Sequence, residues 1–381
     1  MNPTDAVAAV TAQLARPTAV TAPGLGAGLS GEALALGVLA GEDPALRRAA
    51  HERLAAAVRA PGAMRGGGLY SGAAAVALAA RTMARAPGEY RGLLDALVPR
   101  VGESAVGRAA ALRADLAAGA GLRAHTFDTV SGASGLGRLL LDLEPYGASL
   151  AAVLTALVDL AAPTGGARPR WWTAGGPGLP EAEGHVNLGL AHGIPGPLAL
   201  LSLAWSRGVR VPGQEEAIEA LALWLTTHRL PAGGWPMTVR LDGPDAEATT
   251  RAAWCYGTPG VARALHLAGA ALDREDWRTT AVTDLAATLA DPATWHLSGP
   301  GLCHGPAGLL RITHRMADGS AALAAHLPAL ATATTRALTD ALTAPEPATL
   351  LEGTTGAALA LHAHTNPGTD SGDWDAFLLL R

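Results

Sequence analysis

A glycine turn followed at once by an apolar helical run recurs seven times along the 381 residues. Each turn reads Gly-x-x-Gly or a close variant, and the second copy has alanine in place of the second glycine. The paired turn positions are Gly28/Gly31, Gly72/Ala75, Gly132/Gly135, Gly193/Gly196, Gly257/Gly260, Gly305/Gly308 and Gly353/Gly356. The spacing leaves room for two helices in each copy, which is typical of a repeat architecture.

Longer amphipathic stretches separate these turns. They span residues 46–60, 150–162, 215–228, 279–290 and 321–342, with apolar residues at helical spacing. Strand patterns are nearly absent, so each copy predicts one mostly apolar helix and one amphipathic helix. We therefore expect an all-α chain of about fourteen helices.

A helix that is apolar nearly all round must be buried on all sides. A closed ring meets this demand if the seven glycine-led helices form an inner barrel and the amphipathic helices form an outer ring. The glycine turns then collect at one end, where glycine permits positive φ and close approach of the backbone. A chain of this length fits two domains or one large closed architecture, and we predict a single domain over residues 1–381.

Composition argues against several classes of protein. With 49% hydrophobic residues and a mean hydropathy of +0.22, the chain can bury a large core. A net charge of -5 and the lack of a basic stripe argue against nucleic-acid binding. No apolar run of about 18 residues predicts a membrane span, and no signal segment follows Met1, so we expect a cytoplasmic protein.

Both cysteines of the chain occupy the same position of a turn. Cys255 and Cys303 lie two residues before the first glycine, and His304 follows Cys303. Two thiolates and an imidazole suit zinc, and a set of three protein ligands leaves one position for substrate. Consecutive residues share no helix face, so Gly305 and Pro306 predict the irregular turn that such a site requires. The residues alone leave open that the cysteines are small buried side chains, whereas a disulfide is disfavoured in a reducing compartment.

Polar residues mark the turns of the middle copies. Asp128 precedes the third turn, His192 lies in the fourth, and Arg251 and Tyr256 lie in the fifth. The first two copies offer only serines, and the seventh offers Glu352. We therefore expect the chemistry to belong to the middle copies.

Four ordered motifs on this repeat resemble those of the lanthipeptide cyclases, the LanC family. They read Asp-x-x-x-Gly-x-x-Gly, His-Gly-x-x-Gly, Arg-x-x-x-Cys-Tyr-Gly and Cys-His-Gly, and the resemblance covers almost the whole chain. It implies an α/α toroid that binds one zinc ion. The implied zinc ligands are Cys255, Cys303 and His304, surrounded by Asp128, His192, Arg251 and Tyr256.

The resemblance also implies a reaction. A cysteine thiol of a dehydrated precursor peptide, carrying its leader, adds to dehydroalanine or dehydrobutyrine and closes a thioether ring. Zinc would deprotonate the thiol, whose pKa is otherwise about 8.5. His192 is our candidate for moving protons, and Arg251 for stabilising the enolate. Asp128 would orient His192 or anchor Arg251, and Tyr256 would hydrogen-bond near the ligands.

The chain has no length left for a dehydratase, so the resemblance implies a stand-alone cyclase. Its expected partners are the precursor peptide, a separate lanthipeptide dehydratase and a transporter. Some family members carry a small inserted domain, for which residues 87–124 are the place here, although 93–98 and 109–118 read as helical.

Two other functions fit parts of the sequence. A glycosidase on an α/α toroid needs two carboxylates across a cleft, for which the turns offer only Asp128 and Glu352. A LanC-like protein that binds zinc and a peptide or thiol without closing rings needs the ligands alone. The pair at 171–172, both tryptophan, could line a peptide groove, whereas His362 and His364 have no partner that the sequence identifies.

Overall fold

The structure, a computed structural model, describes residues 1–164, 168–174, 184–241, 250–343, 348–367 and 373–381. Helices dominate these ranges. They are α1 (Pro3–Leu14), α2 (Leu29–Leu39), α3 (Pro44–Arg59), α4 (Gly72–Met83), α5 (Arg91–Ala118), α6 (Ala124–Phe127), α7 (Ala133–Leu143), α8 (Ala148–Ala161), α9 (Pro195–Ser206), α10 (Gln214–Thr227), α11 (Thr258–Ala271), α12 (Glu275–Ala290), α13 (Pro306–Met316), α14 (Ala321–Ala324), α15 (Leu327–Thr343) and α16 (Thr354–Thr365).

Two short strands and two 3-10 helices complete the described elements. Strands β1 (His185–Asn187) and β2 (Thr238–Arg240) pair antiparallel, with Val186 opposite Val239. The 3-10 helices span Pro292–Thr294 and Trp374–Leu378. No helix in the described part of the chain is both long and apolar enough to cross a membrane.

The contacts of the chain group into two compact units. The first contains Met1–Val101 and Leu297–Ala376, and the second contains Gly102–His296 and Phe377–Arg381. Helices α1 to α4 and α13 to α16 belong to the first unit. Helices α6 to α12 and both strands belong to the second.

All seven glycine-led helices form where the sequence predicts them, as α2, α4, α7, α9, α11, α13 and α16. They are buried almost all round, and in α9 every residue from Pro195 to Ala204 is buried. In the first unit, α13, α16, α2 and α4 pack side by side in that order. In the second unit, α7, α9 and α11 do the same.

The amphipathic stretches form a second row in each unit. Helix α3 packs on α2, α8 on α7, α10 on α9, α12 on α11, and α15 on α13. Helix α1, from the start of the chain, packs on α16. Each buried helix named here is thus covered by an amphipathic one, as the periodicity predicts.

Two details differ from the sequence expectation. The stretch 321–342 is two helices, α14 and α15, because Pro328 lacks the N–H that an uninterrupted helix needs there. The stretches 93–98 and 109–118 belong to one helix, α5, which continues through Pro99. Whether residues 1–381 form one domain stays a prediction.

Neighbouring turns are joined by a repeated backbone hydrogen bond. Counting from the first glycine of each turn, the N–H at position −3 donates to the carbonyl at position −2 of the adjacent copy. The bonds are Leu25 to Tyr70 at 3.0 Å, Thr129 to Ala191 at 3.0 Å, Leu302 to Leu351 at 2.8 Å and Leu350 to Gly26 at 2.8 Å. They fix the turns of each unit beside one another at the same ends of their helices.

Most of the turn glycines are needed because another part of the backbone lies close to them, and few because of a positive φ. Among the first glycines, only Gly72 (φ 57°) and Gly257 (φ 94°) have positive φ. A Cβ at the second glycine would clash with a backbone carbonyl oxygen, that of Leu302 for Gly308 and that of Leu350 for Gly356. The second glycine therefore lets the first turn of the helix pack on its own loop.

Arginines from the buried helices bind the last residues of the chain. In the first unit, Arg311 Nε and Arg315 Nε each donate to Asp375 Oδ2 at 2.7 Å. In the second unit, Arg138 Nε donates to the Arg381 carbonyl at 2.6 Å, and Arg263 Nε donates to that of Leu380 at 2.9 Å. Burial raises the pKa of the Asp375 carboxyl, but the two arginines bound to it outweigh this and lower the pKa below its ordinary value.

We predict that Gly308→Ala destabilises the protein. The added methyl group collides with the Leu302 carbonyl oxygen, so the backbone must shift at a cost of about 1–3 kcal/mol in the free energy of unfolding. The control is Gly107→Ala within α5, where a Cβ meets no atom within 4 Å and helix propensity favours alanine. Urea unfolding of both variants checks this, and equal midpoints would contradict it.

A second prediction concerns acid stability. Burial, with Arg263 and Arg278 nearby, lowers the pKa of His266 from 6.5 to about 4. Between these values the unfolded chain binds a proton that the folded chain does not, so stability is lost as the pH falls through this window.

Relative to His266→Gln, the wild type should lose about 2 kcal/mol more unfolding free energy between pH 7 and pH 5. Urea unfolding at both pH values measures the difference. The exposed His51→Gln variant serves as the control and should lose stability like the wild type. A pH response of His266→Gln that matches the wild type would refute the prediction.

Candidate metal centre

The structure brings together the three residues that the sequence predicts as metal ligands. Cys255, Cys303 and His304 each offer one ligand atom, and these atoms all lie within 4.8 Å of one another. Ligands around a tetrahedral zinc ion lie about 3.3–3.8 Å apart, given Zn–S and Zn–N bonds of about 2.3 and 2.0 Å. Two thiols and an imidazole suit zinc in their chemistry, and their separations of at most 4.8 Å lie within about 1 Å of those around a tetrahedral ion.

Cys303 and His304 lie in an irregular turn, as Gly305 and Pro306 predict. Helix α13 begins only at Pro306, and both side chains are half-buried. The Cys303 N–H donates to the Leu351 carbonyl at 2.9 Å, and the Ser298 N–H donates to the His304 carbonyl at 3.0 Å. These bonds fix the backbone on both sides, so two consecutive residues present their ligand atoms together.

Cys255 is buried in the turn that precedes α11. An isolated bridge joins Ala252 to Gly257, and the Tyr256 carbonyl accepts a hydrogen bond from Ala253 at 3.3 Å. Gly257 has φ 94°, and a Cβ there would clash with the Arg251 carbonyl oxygen. This turn needs glycine for both reasons, and it sets the direction of the Cys255 side chain.

His192 is held by Asp128. Its Nδ1 lies 2.7 Å from Asp128 Oδ2, and Asp128 Oδ1 accepts from the backbone N–H groups of Ser131 and Gly132, each at 2.7 Å. The Asp128 side chain is only 2% exposed, whereas that of His192 is 41% exposed. With Nδ1 bound to the carboxylate, Nε2 is the nitrogen left to meet a substrate.

The electrostatic surroundings favour the charged form of His192. The hydrogen bond that His192 donates to Asp128 raises the pKa of the imidazole, and the negative charges of Asp128 and Cys255 add to this, whereas burial acts in the opposite direction. The imidazole therefore lies close enough to Cys255 to respond to its charge. A histidine with a raised pKa is protonated to a larger extent near neutral pH than an unperturbed one, so it has a proton to donate.

Arg251 and Tyr256 have other partners than Asp128. Arg251 Nε donates to the His296 carbonyl at 3.0 Å. The Tyr256 hydroxyl accepts from Asn187 Nδ2 at 3.0 Å, and Asn187 Oδ1 accepts from the Gly189 N–H at 2.8 Å. The sequence predicts either His192 or Arg251 as the partner of Asp128, and the structure shows a contact with His192.

Asn187 is the residue near the site that sequence reasoning missed. It closes β1 and lies five residues before His192, in a segment where its neighbours Val186 and Leu188 are apolar. That lone amide in an apolar segment was the available signal. It was weak, because the partner Tyr256 lies 69 residues away.

The other residues singled out from the sequence lie outside the cluster. Trp171 is nearly buried and packs edge to face on Trp224, with ring centroids 6.2 Å apart. Asn366 Nδ2 lies 3.4 Å from His362 Nδ1, and burial lowers the pKa of His364. The Glu352 side chain is exposed on the seventh turn. Asp128 is committed to His192 and two backbone donors, which does not suit a glycosidase acid.

Comparison with known proteins identifies the family of the chain. The profile of the lanthionine synthetase C-like protein family matches residues 19–379. The chain belongs to this family. Membership in the lanthionine synthetase C-like family confirms the resemblance inferred from the four ordered motifs and the enzyme class that it implied. No curated protein matched the sequence.

A solved structure titled "Nisin cyclase" matches this LanC-like protein with a TM-score of 0.78. The sequences are 20% identical, and the match covers 99% of this chain and 96% of the other. At that identity the likeness shows the fold, which is the predicted α/α toroid.

We predict that the purified protein contains about one zinc ion per chain and that Cys303→Ala and His304→Ala lose most of it, because two remaining ligands bind zinc far less tightly than three. Elemental analysis by mass spectrometry measures the metal content. The matched control is His51→Ala, which removes an exposed imidazole outside the cluster. Full zinc content in both ligand variants would show that the cluster is not the metal site.

Proposed function

We propose that this protein is a zinc-dependent lanthipeptide cyclase that acts on a separate, dehydrated precursor peptide. The observation that carries the proposal is the Cys255, Cys303 and His304 cluster in a LanC-like chain, with the Asp128-bound His192 close enough to respond to the charge of Cys255. A bound zinc ion would supply one thing, which is a lowered pKa for the peptide thiol.

The reaction moves one proton from sulfur to carbon. The cysteine sulfur forms a bond to the β-carbon of the dehydrated residue, and the π bond between the α- and β-carbons breaks while the single bond between them stays. The electron pair of the π bond passes to the α-carbon and the adjoining carbonyl as an enolate. The α-carbon then takes up a proton, so no atom is lost and no oxidant is needed.

We assign the proton transfer to His192. Its Nδ1 is bound to Asp128, so Nε2 accepts the thiol proton and returns one to the α-carbon. Asp128 keeps the imidazole in one tautomer and stabilises its charged form, because the carboxylate is itself fixed by two backbone donors.

Arg251 and Tyr256 take supporting roles in the proposal. The contact of Arg251 Nε with the His296 carbonyl orients the guanidinium, and its terminal nitrogens supply the positive charge that an enolate oxygen requires. The Tyr256 hydroxyl accepts from Asn187, and this contact holds the tyrosine that follows Cys255 in the chain, so we assign it hydrogen bonding near the ligands.

Three further parts of the proposal come from the resemblance. They are that the cyclase is a stand-alone enzyme, that a separate dehydratase and a transporter are its partners, and that it works in the cytoplasm. Ring closure by the purified chain alone would support the first part, that the cyclase is a stand-alone enzyme.

The test is ring closure by purified variants. We predict that His192→Ala keeps its zinc but closes rings at least about 100-fold more slowly, which is the lower range for loss of general acid–base catalysis. Asp128→Asn should also be slow, because an amide favours the wrong tautomer. Ring closure leaves the peptide mass unchanged and consumes a free thiol, so alkylation followed by mass spectrometry counts the rings.

The control is Asp159→Asn, which alters an exposed carboxylate paired with Arg113. This variant should match the wild type. Unimpaired ring closure by His192→Ala would remove this residue from the mechanism. Zinc binding by the wild type without any ring closure would support a binding protein instead of a cyclase.

A further inference from the structure

A cavity of about 830 Å³ lies in the first unit and has His304 in its wall. Its volume falls in the range of ligand sites. Resting on the proposed function, we propose that this cavity holds the precursor segment that flanks the reacting cysteine, and that Glu352 selects a cationic side chain in that segment. Glu352 is then a specificity-determining residue.

The position of Glu352 supports this role. It stands at position −1 of the seventh turn, the place that His192, Tyr256 and His304 occupy in theirs. The Leu351 carbonyl accepts from both Leu302 and Cys303, at 2.8 and 2.9 Å. The backbone before Glu352 is thus bonded directly to that of a cluster residue.

The Glu352 carboxylate is available to a ligand. Its side chain is exposed, it lines the cavity, and it forms no hydrogen bond or ion pair with the residues that the structure describes. A carboxylate in this state attracts a lysine or arginine side chain and repels an acidic one.

The second carboxylate of the wall, Glu32, is already paired. Its Oε2 lies 2.8 Å from Arg53 Nε, and its Oε1 accepts from the Thr18 hydroxyl at 2.9 Å. The side chains of Glu32 and Arg53 are 9% and 12% exposed, so this pair contributes little net charge to the cavity. Among the described residues of the wall, Glu352 is therefore the carboxylate that has no ionic partner.

The rest of the wall suits a peptide chain. Arg16, on the segment after α1, is an exposed cation that would favour an acidic group at another point of the bound peptide. Small apolar surfaces complete the wall, from Pro17, Ala19, Val20, Pro300 and Leu350. A cavity that, among the described residues, offers Glu352 as an anion, Arg16 as a cation and several apolar surfaces selects by charge position as well as by net charge.

The experiment compares two fluorescein-labelled peptides. Both are short glycine and serine chains with one central cysteine, and they carry either lysine or glutamate on both sides of it. Fluorescence anisotropy with the zinc-loaded wild type should give about tenfold tighter binding of the lysine peptide. Glu352→Gln should reduce this ratio to about twofold or less, and Glu352→Arg should invert it. The exposed Glu103→Gln control should keep the wild-type ratio.

Equal affinities in the wild type, an unchanged ratio in Glu352→Gln, or binding of neither peptide would overturn the inference. Zinc content and circular dichroism of each variant confirm that the site and fold are intact. The readout is a ratio of two affinities, whereas the cyclase proposal is tested by ring closure. A wild type that closes rings but shows no preference overturns the inference alone, and one that never closes rings overturns the proposed function.

Discussion

The structure depends on the contact between each glycine turn and the first turn of the helix that follows it. In four copies the second glycine lies against a backbone carbonyl of its own loop, where a Cβ would clash; these glycines are Gly31, Gly260, Gly308 and Gly356. The N–H groups of the same loops donate to the neighbouring turns of their unit. These two contacts use only backbone atoms and glycines. The residues at positions −2 and −1 are therefore free to vary between copies, which is where both cysteines, His192, Tyr256 and His304 occur.

Much of the fold is readable from sequence because its signals are local. Helical periodicity and glycine turns give the seven buried helices and most of their partners, since both reflect contacts within a few residues. The cluster was also predictable, because a residue type used twice in the chain falls twice at one turn position. The continuation of α5 through Pro99 was not predictable from the sequence, because proline ordinarily interrupts a helix.

Interactions between residues far apart in the sequence could not be predicted from it. Arg138, Arg263 and Arg311 stand on apolar helices, where an isolated charge has no local explanation. Their partners lie in the last residues of the chain, 243, 117 and 64 positions away. The sequence could not decide between His192 and Arg251 as the partner of Asp128 either, since each lies at another turn of the same unit. The choice depends on a distance of 2.7 Å that only the folded loops set.

The third turn shows how the fold secures that distance. Position −3 is leucine or tryptophan in the other copies, but here it is Thr129. Its N–H makes the usual bond to Ala191, and its buried hydroxyl donates in addition to the Leu190 carbonyl at 2.6 Å. Both acceptors immediately precede His192. A buried carboxylate stabilises a neighbouring charge only while its geometry is fixed, so this extra bond keeps Asp128 and the imidazole in register. The threonine at this position of the third turn thus serves the site.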